Sequence, residues 1–358
     1  MNSPHDAWKP LVAARIDSTL DATARAIAPV GEAGDDLLDA IRTGSVGGKL
    51  LRAMLLLASH EAHGGSNLEP AIGVAAALEL FQTAALIHDD VLDDSDTRRG
   101  KPASHRAIAH LHESRGWDGS AQDFGKAGGV LAGDIALMAS YRALHEALAD
   151  VGEAERALTA PLFLDMTDLV TAGQYLDMRI AAQPLAGLER QEDDIRATMR
   201  SKTASYSAEF PLALGAALAG ANRSAITAIR AVGVPLGIAF QLRDDVLGLV
   251  GRPDVTGKPA GDDIREGKRT LVALYAWRAA NPAQRDTLAV ALGNRRATAA
   301  QVAAAVHVMS DTGALDAAEA EIADLAAGAL DALHGLNLHQ PGASIVAQTF
   351  TAATTRSA

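Results

Sequence analysis

The sequence predicts an all-α protein. Of its 358 residues 48% are hydrophobic yet only 4% are aromatic, with Ala and Leu dominating. Apolar residues recur at helical spacing between short polar breaks, and no convincing alternating runs or strand pairs interrupt them. Helices packed through small residues account for that composition, whereas a β-sandwich calls for more Val, Ile, Thr and aromatics. The absence of Cys excludes disulfides, thiolate metal sites and a thiol nucleophile. A net charge of −12 argues against nucleic acid as the main partner, because phosphate backbones need a basic face.

In chain order, helices are expected near residues 8–28, 47–62, 67–90, 124–148, 153–182, 189–220, 223–249, 262–279 and 298–310, with more from 314 onward. Gly31 to Asp35 ends the first, and Gly47-Gly48 opens the second. Gly64 to Asn67 separates the second from the third. The third holds the longest apolar stretch, Ala71 to Ile87, which Glu79 and Gln82 interrupt. It is too short and too polar for a transmembrane span, so it reads as a buried core helix. Residues 98 to 128, including the break Gly116 to Ser120, are polar and irregular, which suits a loop that closes over a site. Further breaks fall at Gly251 to Gly261 and at Pro341-Gly342. No linker divides the chain, so one all-α domain over residues 1–358 is expected. Met1 to Pro10 lacks a basic region followed by an apolar core, so no signal peptide is expected and the protein reads as soluble and cytoplasmic.

Two acidic doublets sit far apart in matching frames. The first runs His88-Asp89-Asp90-Val91-Leu92-Asp93-Asp94-Ser95-Asp96-Thr97-Arg98-Arg99-Gly100. The second runs Gln241-Leu242-Arg243-Asp244-Asp245-Val246-Leu247-Gly248, with Thr256-Gly257-Lys258 beyond it. Each ends an apolar run, which puts its carboxylates at the mouth of an apolar interior. Residues i and i+4 of a helix lie one turn apart, about 6 Å along the axis, so Asp89 and Asp93 share a face. Such carboxylates repel one another unless a hard divalent cation bridges them. Mg²⁺ takes oxygen ligands of this kind and completes its shell with water and substrate phosphates. Arg and Lys beside both motifs supply the other half of a phosphate site. A solvated acidic helix end is the ordinary explanation of one such run. Recurrence of the frame, with cations at set offsets, favours a metal–diphosphate clamp. A Ca²⁺ loop fails on spacing, since Arg98 falls where a ligand is needed and no Gly occupies the sixth position.

Gly47-Gly48-Lys49-Leu50-Leu51-Arg52 looks at first like a phosphate-binding P-loop. Thr43 occupies the first Gly position and Leu50 follows the Lys where Ser or Thr belongs, so that reading fails. As a helix start, Lys49 and Arg52 would offer two cations on one side near an amide-rich N-terminus, which suits a diphosphate not held by metal.

These residues carry a family resemblance. Gly47-Gly48-Lys49 with Arg52, Asp89-Asp90-Val91-Leu92-Asp93 with Arg98-Arg99-Gly100, and Gly173-Gln174-Tyr175-Leu176-Asp177 resemble the trans-isoprenyl diphosphate synthases (polyprenyl synthetases). So do Lys202-Thr203-Ala204, Phe240-Gln241 before Asp244-Asp245, Gly257-Lys258 and Lys268-Arg269-Thr270. The set keeps the family's order over roughly residues 45 to 275 and is most like a bacterial geranylgeranyl diphosphate synthase. The resemblance implies a single-domain helical bundle around a deep central cavity, assembled as a homodimer. It implies head-to-tail joining of isopentenyl diphosphate to an allylic diphosphate, with release of pyrophosphate. By resemblance, Asp89, Asp93 and Asp244 hold Mg²⁺ that neutralises the leaving diphosphate, with Asp90 and Asp245 in support. Arg98, Lys202, Lys258 and Lys268 surround the same diphosphate. Lys49, Arg52 and Arg99 hold isopentenyl diphosphate, and Thr203 and Gln241 line the reacting centre. No side chain is an obvious general base, a role the family gives to released pyrophosphate. Gln174 and Asp177 would orient metal waters or Arg98.

The chain departs from the family pattern in three places. Gln82 stands where many bacterial relatives carry a His for isopentenyl diphosphate, and its amide still offers a donor. The second acidic motif ends in Gly248 rather than a third Asp, which predicts activity with a looser shell around the metal. The basic C-terminal tail of some short-chain members has no counterpart in Thr354-Thr355-Arg356-Ser357-Ala358. For product length, Ala84 and Ala85 leave open the level that an aromatic closes in farnesyl-making relatives, and Phe81 lies roughly one turn deeper, about 5 Å, as a candidate floor. Its bland alternative is an ordinary core Phe. A C20 product, geranylgeranyl diphosphate, is expected, with farnesyl or longer polyprenyl diphosphates as alternatives. A class I terpene cyclase would carry an Asn/Asp-x-x-Ser/Thr-x-x-x-Glu motif, absent near Asp244, and would leave Lys49 and Arg52 without work. A non-catalytic regulatory subunit would be expected to lose metal carboxylates, whereas both doublets are intact; Gly248 is the only feature in its favour.

Overall fold

The computed structural model describes residues 7–45, 48–251 and 261–355. The all-α expectation is borne out: among these residues the only strands are a two-residue pair. The described residues cluster into two compact units, one comprising residues up to Ala160 with Leu214–Gly220, the other Pro161–Ala213 and the residues from Ala221 onward.

In the first unit, α1 (Trp8–Ile27), α2 (Glu32–Ser45), α3 (Leu51–Ala62), α4 (Leu68–Asp93), α5 (Ser104–Ser114) and α6 (Ala121–Ala149) follow in order. α4 is buried along most of its length and packs chiefly on α6. Its length and composition would permit a membrane crossing, but 83% of its apolar window is covered by protein, as befits a core helix. Glycines on α6 let the two helices meet closely: a Cβ on Gly133 would fall 2.2 Å from the His88 ring. Gly215 likewise seats Leu214–Gly220 against α3, its missing Cβ lying 2.2 Å from the Leu56 carbonyl oxygen.

Three elements here depart from the sequence expectation. The break expected at Gly31 to Asp35 falls at Gly31 (φ 67), after a 3₁₀ turn, and does not reach Asp35, because α2 starts at Glu32, with Glu32 and Asp35 complementing its N-terminal dipole. Residues 98 to 128 are not one irregular loop. They contain a hairpin of β1 (Thr97–Arg98) and β2 (Lys101–Pro102), then α5 and the start of α6. The hairpin turns through Arg99 (φ 53) and Gly100 (φ 74), the two positive-φ positions of a type I′ turn. α5 buries Ser104, Ile108 and His112 at four-residue intervals, a helical face too polar to register as apolar periodicity.

In the second unit, α7 (Glu153–Ala181, from Pro161 onward) leads to α8 (Glu192–Thr198). The single helix expected over residues 189–220 is a succession: a 3₁₀ turn (Leu185–Arg190), α8, a π-helical segment (Met199–Glu209) and α9 (Phe210–Leu218), of which residues to Ala213 belong to this unit. α10 (Arg223–Val250) packs on the π segment and on α15 (Ala314–His334). Between α10 and α15 lie α11 (Asp262–Glu266), α12 (Leu271–Ala279), α13 (Pro282–Ala291) and α14 (Ala299–Asp311), and α16 (Gly342–Thr354) ends the described chain. α13 was not expected, although Asn281-Pro282 announces it: Asn281 forms a capping box with Gln284, and proline suits the first helical position.

Candidate active site

The end of α4 sorts the carboxylates of the first motif by direction. Asp90 points inward and is 2% exposed. The guanidinium of Arg98 grips it, with Nε donating to Oδ1 at 3.0 Å and to Oδ2 at 3.2 Å, and Nη2 donating to Oδ1 as well. The geometry follows from the helix stop: Asp94 takes a left-handed conformation (φ 57), the amides of Asp94 and Ser95 return to the last turn of α4, and the chain doubles back. Asp94 pairs with Arg106 at 3.3 Å and Lys126 at 3.0 Å, and Asp96 pairs with Arg106 at 2.9 Å. Asp89 and Asp93 remain as the half-buried pair on one face, with Arg98 Nη2 3.6 Å from Asp89. Burial works against the charge on Arg98, but Asp90, Asp89 and Asp93 outweigh it and raise its pKa above the ordinary guanidinium value.

Beside this helix end lies a cavity of about 190 Å³ whose wall includes Arg98, Arg99, Lys101 and the single carboxylate Asp90. Arg99 reaches the Gly44 carbonyl at 3.4 Å, and a Cβ on Gly48 would meet its guanidinium at 3.4 Å. Lys49 lies before α3 rather than on it, because Leu50 adopts φ 54 and the helix starts at Leu51. Arg52 is the second residue of α3 and is buried.

A residue the sequence reading took for an interruption belongs to this neighbourhood. Glu79 of α4 is buried and accepts a hydrogen bond from the Ala53 amide at 3.0 Å, so it caps the start of α3 from another helix. Burial raises its pKa, and the nearby Arg52 and Arg99 only partly counter that. Also on α4, Gln82 and Ala85 are half-buried and lie seven and four residues before Asp89 on its face, whereas Phe81 and Ala84 are buried.

In the second unit, Lys202 and Thr203 sit within the π segment, a helix form that concentrates at functional sites. Three glycines let neighbouring helices approach it to backbone contact. A Cβ on Gly173 of α7 would lie 2.5 Å from the Lys202 amide nitrogen; one on Gly237 of α10 would lie 2.5 Å from Ala204 Cα, and one on Gly233 would lie 2.6 Å from Glu209 Cα. Buried Glu209 fastens the far end of the segment to Arg230 of α10 at 2.8 Å and to Arg200. Lys202 donates to Asp177 at 2.6 Å, and Gln174 lies half-buried one turn before Asp177.

On α10, Gln241 donates to Asp245 at 2.6 Å, so the predicted reacting-centre amide holds a carboxylate of the second doublet. Asp244 is half-buried while Asp245 is buried, and burial, then the charge of Asp263, pushes Asp245 well above the usual carboxylate range. Lys268 pairs with Asp263 at 3.1 Å and Glu266 at 2.9 Å. The sequence reading named neither acid. Lys258, with Gly257, lies outside the described residues, as does Gly47.

Among the described residues no group of three or more His, Asp or Glu stands ready to enclose a metal. The donor set nonetheless fits Mg²⁺, which is usually bound through one or two carboxylates and keeps waters and substrate phosphates. Asp89 and Asp93, one turn apart on α4 and both half-buried, supply two such carboxylates, with Arg98 3.6 Å from Asp89.

Comparison with known proteins gives a consistent result. A family model described as "Polyprenyl synthetase" matches residues 35–309. A short chain isoprenyl diphosphate synthase of Methanothermobacter thermautotrophicus is 34% identical over 281 residues, 78% of this chain and 78% of that protein. A geranylgeranyl diphosphate synthase of Mycobacterium tuberculosis is 34% identical over 266 residues, 74% of this chain and 69% of that protein. The crystal structure of a geranylgeranyl pyrophosphate synthase from Corynebacterium glutamicum, complexed with isoprenyl diphosphate and magnesium, aligns with a TM-score of 0.93. It is 33% identical and covers 99% of this chain and 100% of that one.

Proposed function

Because this chain belongs to the polyprenyl synthetase family, we propose that it is an Mg²⁺-dependent trans-prenyltransferase that extends an allylic diphosphate with isopentenyl diphosphate and makes chiefly geranylgeranyl diphosphate. The observation that carries this reading is the end of α4, where Asp89 and Asp93 stand one turn apart and half-buried beside the Arg98 guanidinium that Asp90 holds.

In the reaction the allylic C1–O bond breaks and diphosphate departs. The double bond of isopentenyl diphosphate attacks the allylic cation, and the departed diphosphate takes the proton whose loss gives the lengthened product. Bound Mg²⁺ would stabilise the charge of the departing diphosphate. We assign its protein ligands to Asp89, Asp93 and Asp244. Asp90 fixes the planar guanidinium of Arg98, whose remaining donors are then pre-set for phosphate oxygens. Lys202, held by Asp177, and Lys268, held by Asp263 and Glu266, are oriented in the same way, and Lys258 completes the assigned cation set. Lys49, Arg52, Arg99 and Gln82 are assigned to isopentenyl diphosphate, with Glu79 balancing the charge of Arg52. Thr203 offers an oxygen dipole to the allylic cation, and Gln241 serves by holding Asp245. Gln174 is assigned to orient metal waters.

Ala84 and Ala85 carry too little bulk to stop a growing chain, and Phe81 offers the first bulky ring below them, which supports a C20 product. We further propose a cytoplasmic homodimer with one catalytic domain per chain; α6 exposes Phe124, Leu131 and Met138 at seven-residue intervals, an apolar stripe suited to a second copy.

The test is incubation with Mg²⁺, isopentenyl diphosphate and, separately, dimethylallyl, geranyl and farnesyl diphosphates, with product length measured by chromatography. Mainly C20 product is expected. Failure to elongate any primer overturns the catalytic reading and favours a regulatory subunit, whereas cyclic hydrocarbons indicate a cyclase.

A further inference from the structure

Lys101 follows the Arg99-Gly100 turn and stands on β2 directly opposite Arg98 of β1. Residues opposite each other in an antiparallel pair project from one face, and like charges placed so repel. Arg98, Arg99 and Lys101 nevertheless all line the cavity of about 190 Å³ beside α4. The single carboxylate in its wall is Asp90, which Arg98 already grips. Among the described residues no carboxylate pairs with Lys101, whereas Arg98, Lys202 and Lys268 are each held by acids. Arg99 registers the excess of positive charge: burial, then the charge of Arg98, lowers its pKa below the ordinary guanidinium value.

We propose that Lys101 is a further binding residue for isopentenyl diphosphate, and that it holds the terminal phosphate. The inference rests on the prenyltransferase reading given above.

A walled cavity with more cations than carboxylates is built for an anion. Asp89 and Asp93 lie outside its wall and Asp90 is taken, so that anion is held by cations alone. A metal-bound allylic diphosphate does not fit this description, whereas the diphosphate assigned to Lys49, Arg52 and Arg99 does. Arg99 joins the two places. A Cβ on Gly48, the residue before Lys49, would meet its guanidinium at 3.4 Å, and the same side chain lines the cavity with Lys101. Arg52 is buried while Arg99 and Lys101 are exposed, so Lys101 meets the outermost phosphate. The strand that carries it is fixed. The Ala103 amide donates to the Asp96 carbonyl at 3.0 Å, and Ser104 Oγ donates to the Ala40 carbonyl of α2 at 3.1 Å.

The test uses the full chain. Titration calorimetry reads isopentenyl diphosphate binding without Mg²⁺, and steady-state kinetics read the KM of each substrate with it. Lys101→Met is expected to weaken that binding and raise that KM about 10-fold, with kcat and the KM for geranyl diphosphate little changed. The loss should be smaller for isopentenyl monophosphate, which lacks the terminal phosphate, and at high salt, which screens an exposed cation. Lys101→Arg should bind as wild type does, and the Tm of ligand-free Lys101→Met should not fall, because a cross-strand repulsion is removed. Unchanged isopentenyl diphosphate binding overturns the proposal, as does an equal loss for the monophosphate or a rise in KM confined to geranyl diphosphate. Wild-type protein that binds isopentenyl diphosphate yet elongates no primer overturns the functional reading instead, so the two failures are distinguishable.

Discussion

Gly237→Ala should damage the enzyme although position 237 carries no chemistry. A Cβ there would lie 2.5 Å from Ala204 Cα and 2.7 Å from both its Cβ and its carbonyl oxygen. Two of these atoms are backbone of the π segment, so no flexible side chain can yield and the segment itself must shift. Overpacking of this kind costs about 1–3 kcal/mol. Replacing glycine in a helix interior returns about 1 kcal/mol, leaving a net loss of up to about 2 kcal/mol. Gly328→Ala on α15 is the control: its Cβ would meet nothing within 4 Å, so only the gain applies. The larger effect should be on turnover. Lys202 and Thr203 lie two residues and one residue before Ala204, and a displacement of about 1 Å can lower rate by about 10²-fold. Urea denaturation measures the first effect and steady-state kinetics with isopentenyl and geranyl diphosphates the second. Gly237→Ala protein matching wild type in both would refute the argument that bare backbone contact seats the segment.

Arg98→Ala removes the guanidinium from a carboxylate that is 2% exposed, so a stability loss of about 3–5 kcal/mol is expected alongside lost turnover. Adding Asp90→Asn should restore part of the stability but not the turnover; a double variant no more stable than Arg98→Ala refutes the buried-pair account. Glu79→Gln should raise Tm at pH 8. The folded pKa of Glu79 is raised above 4.5, so the folded state binds its proton more tightly; the charge costs little below that pH and progressively more as pH rises through the raised value. The Tm difference should therefore shrink toward pH 4.5, and a pH-independent difference refutes the assignment. Phe81→Ala should lengthen the product and Ala84→Phe should shorten it to C15; unchanged lengths in both discard Phe81 as the floor.

Sequence showed best what depends on local period and on charge. The apolar repeat exposes α4 and α10, and the acidic doublets on them mark Asp89, Asp93 and Asp244 as candidates. Features that depend on a distant partner stayed hidden. Glu79 reads as a flaw in an apolar run because the amide it caps, that of Ala53, lies 26 residues away. α5 was missed because Ser104 and His112 form its buried face, and the π form of residues 199–209 leaves no periodic trace in so short a segment.

That pattern has a physical cause. Charged groups at the mouth of an apolar interior must be few and fixed, because each costs desolvation and each misalignment weakens its hold on a diphosphate. This chain holds Arg98 chiefly with Asp90, Lys202 with Asp177, and Lys268 with Asp263 and Glu266. It brings Lys202 into place by removing Cβ atoms at Gly173 and Gly237. Missing side chains therefore carry as much of the specificity as the charged ones do. It follows that glycine substitutions at these notches should lower turnover more than their stability cost predicts, whereas Gly328→Ala should not, and kinetic and unfolding measurements on the same three variants decide it.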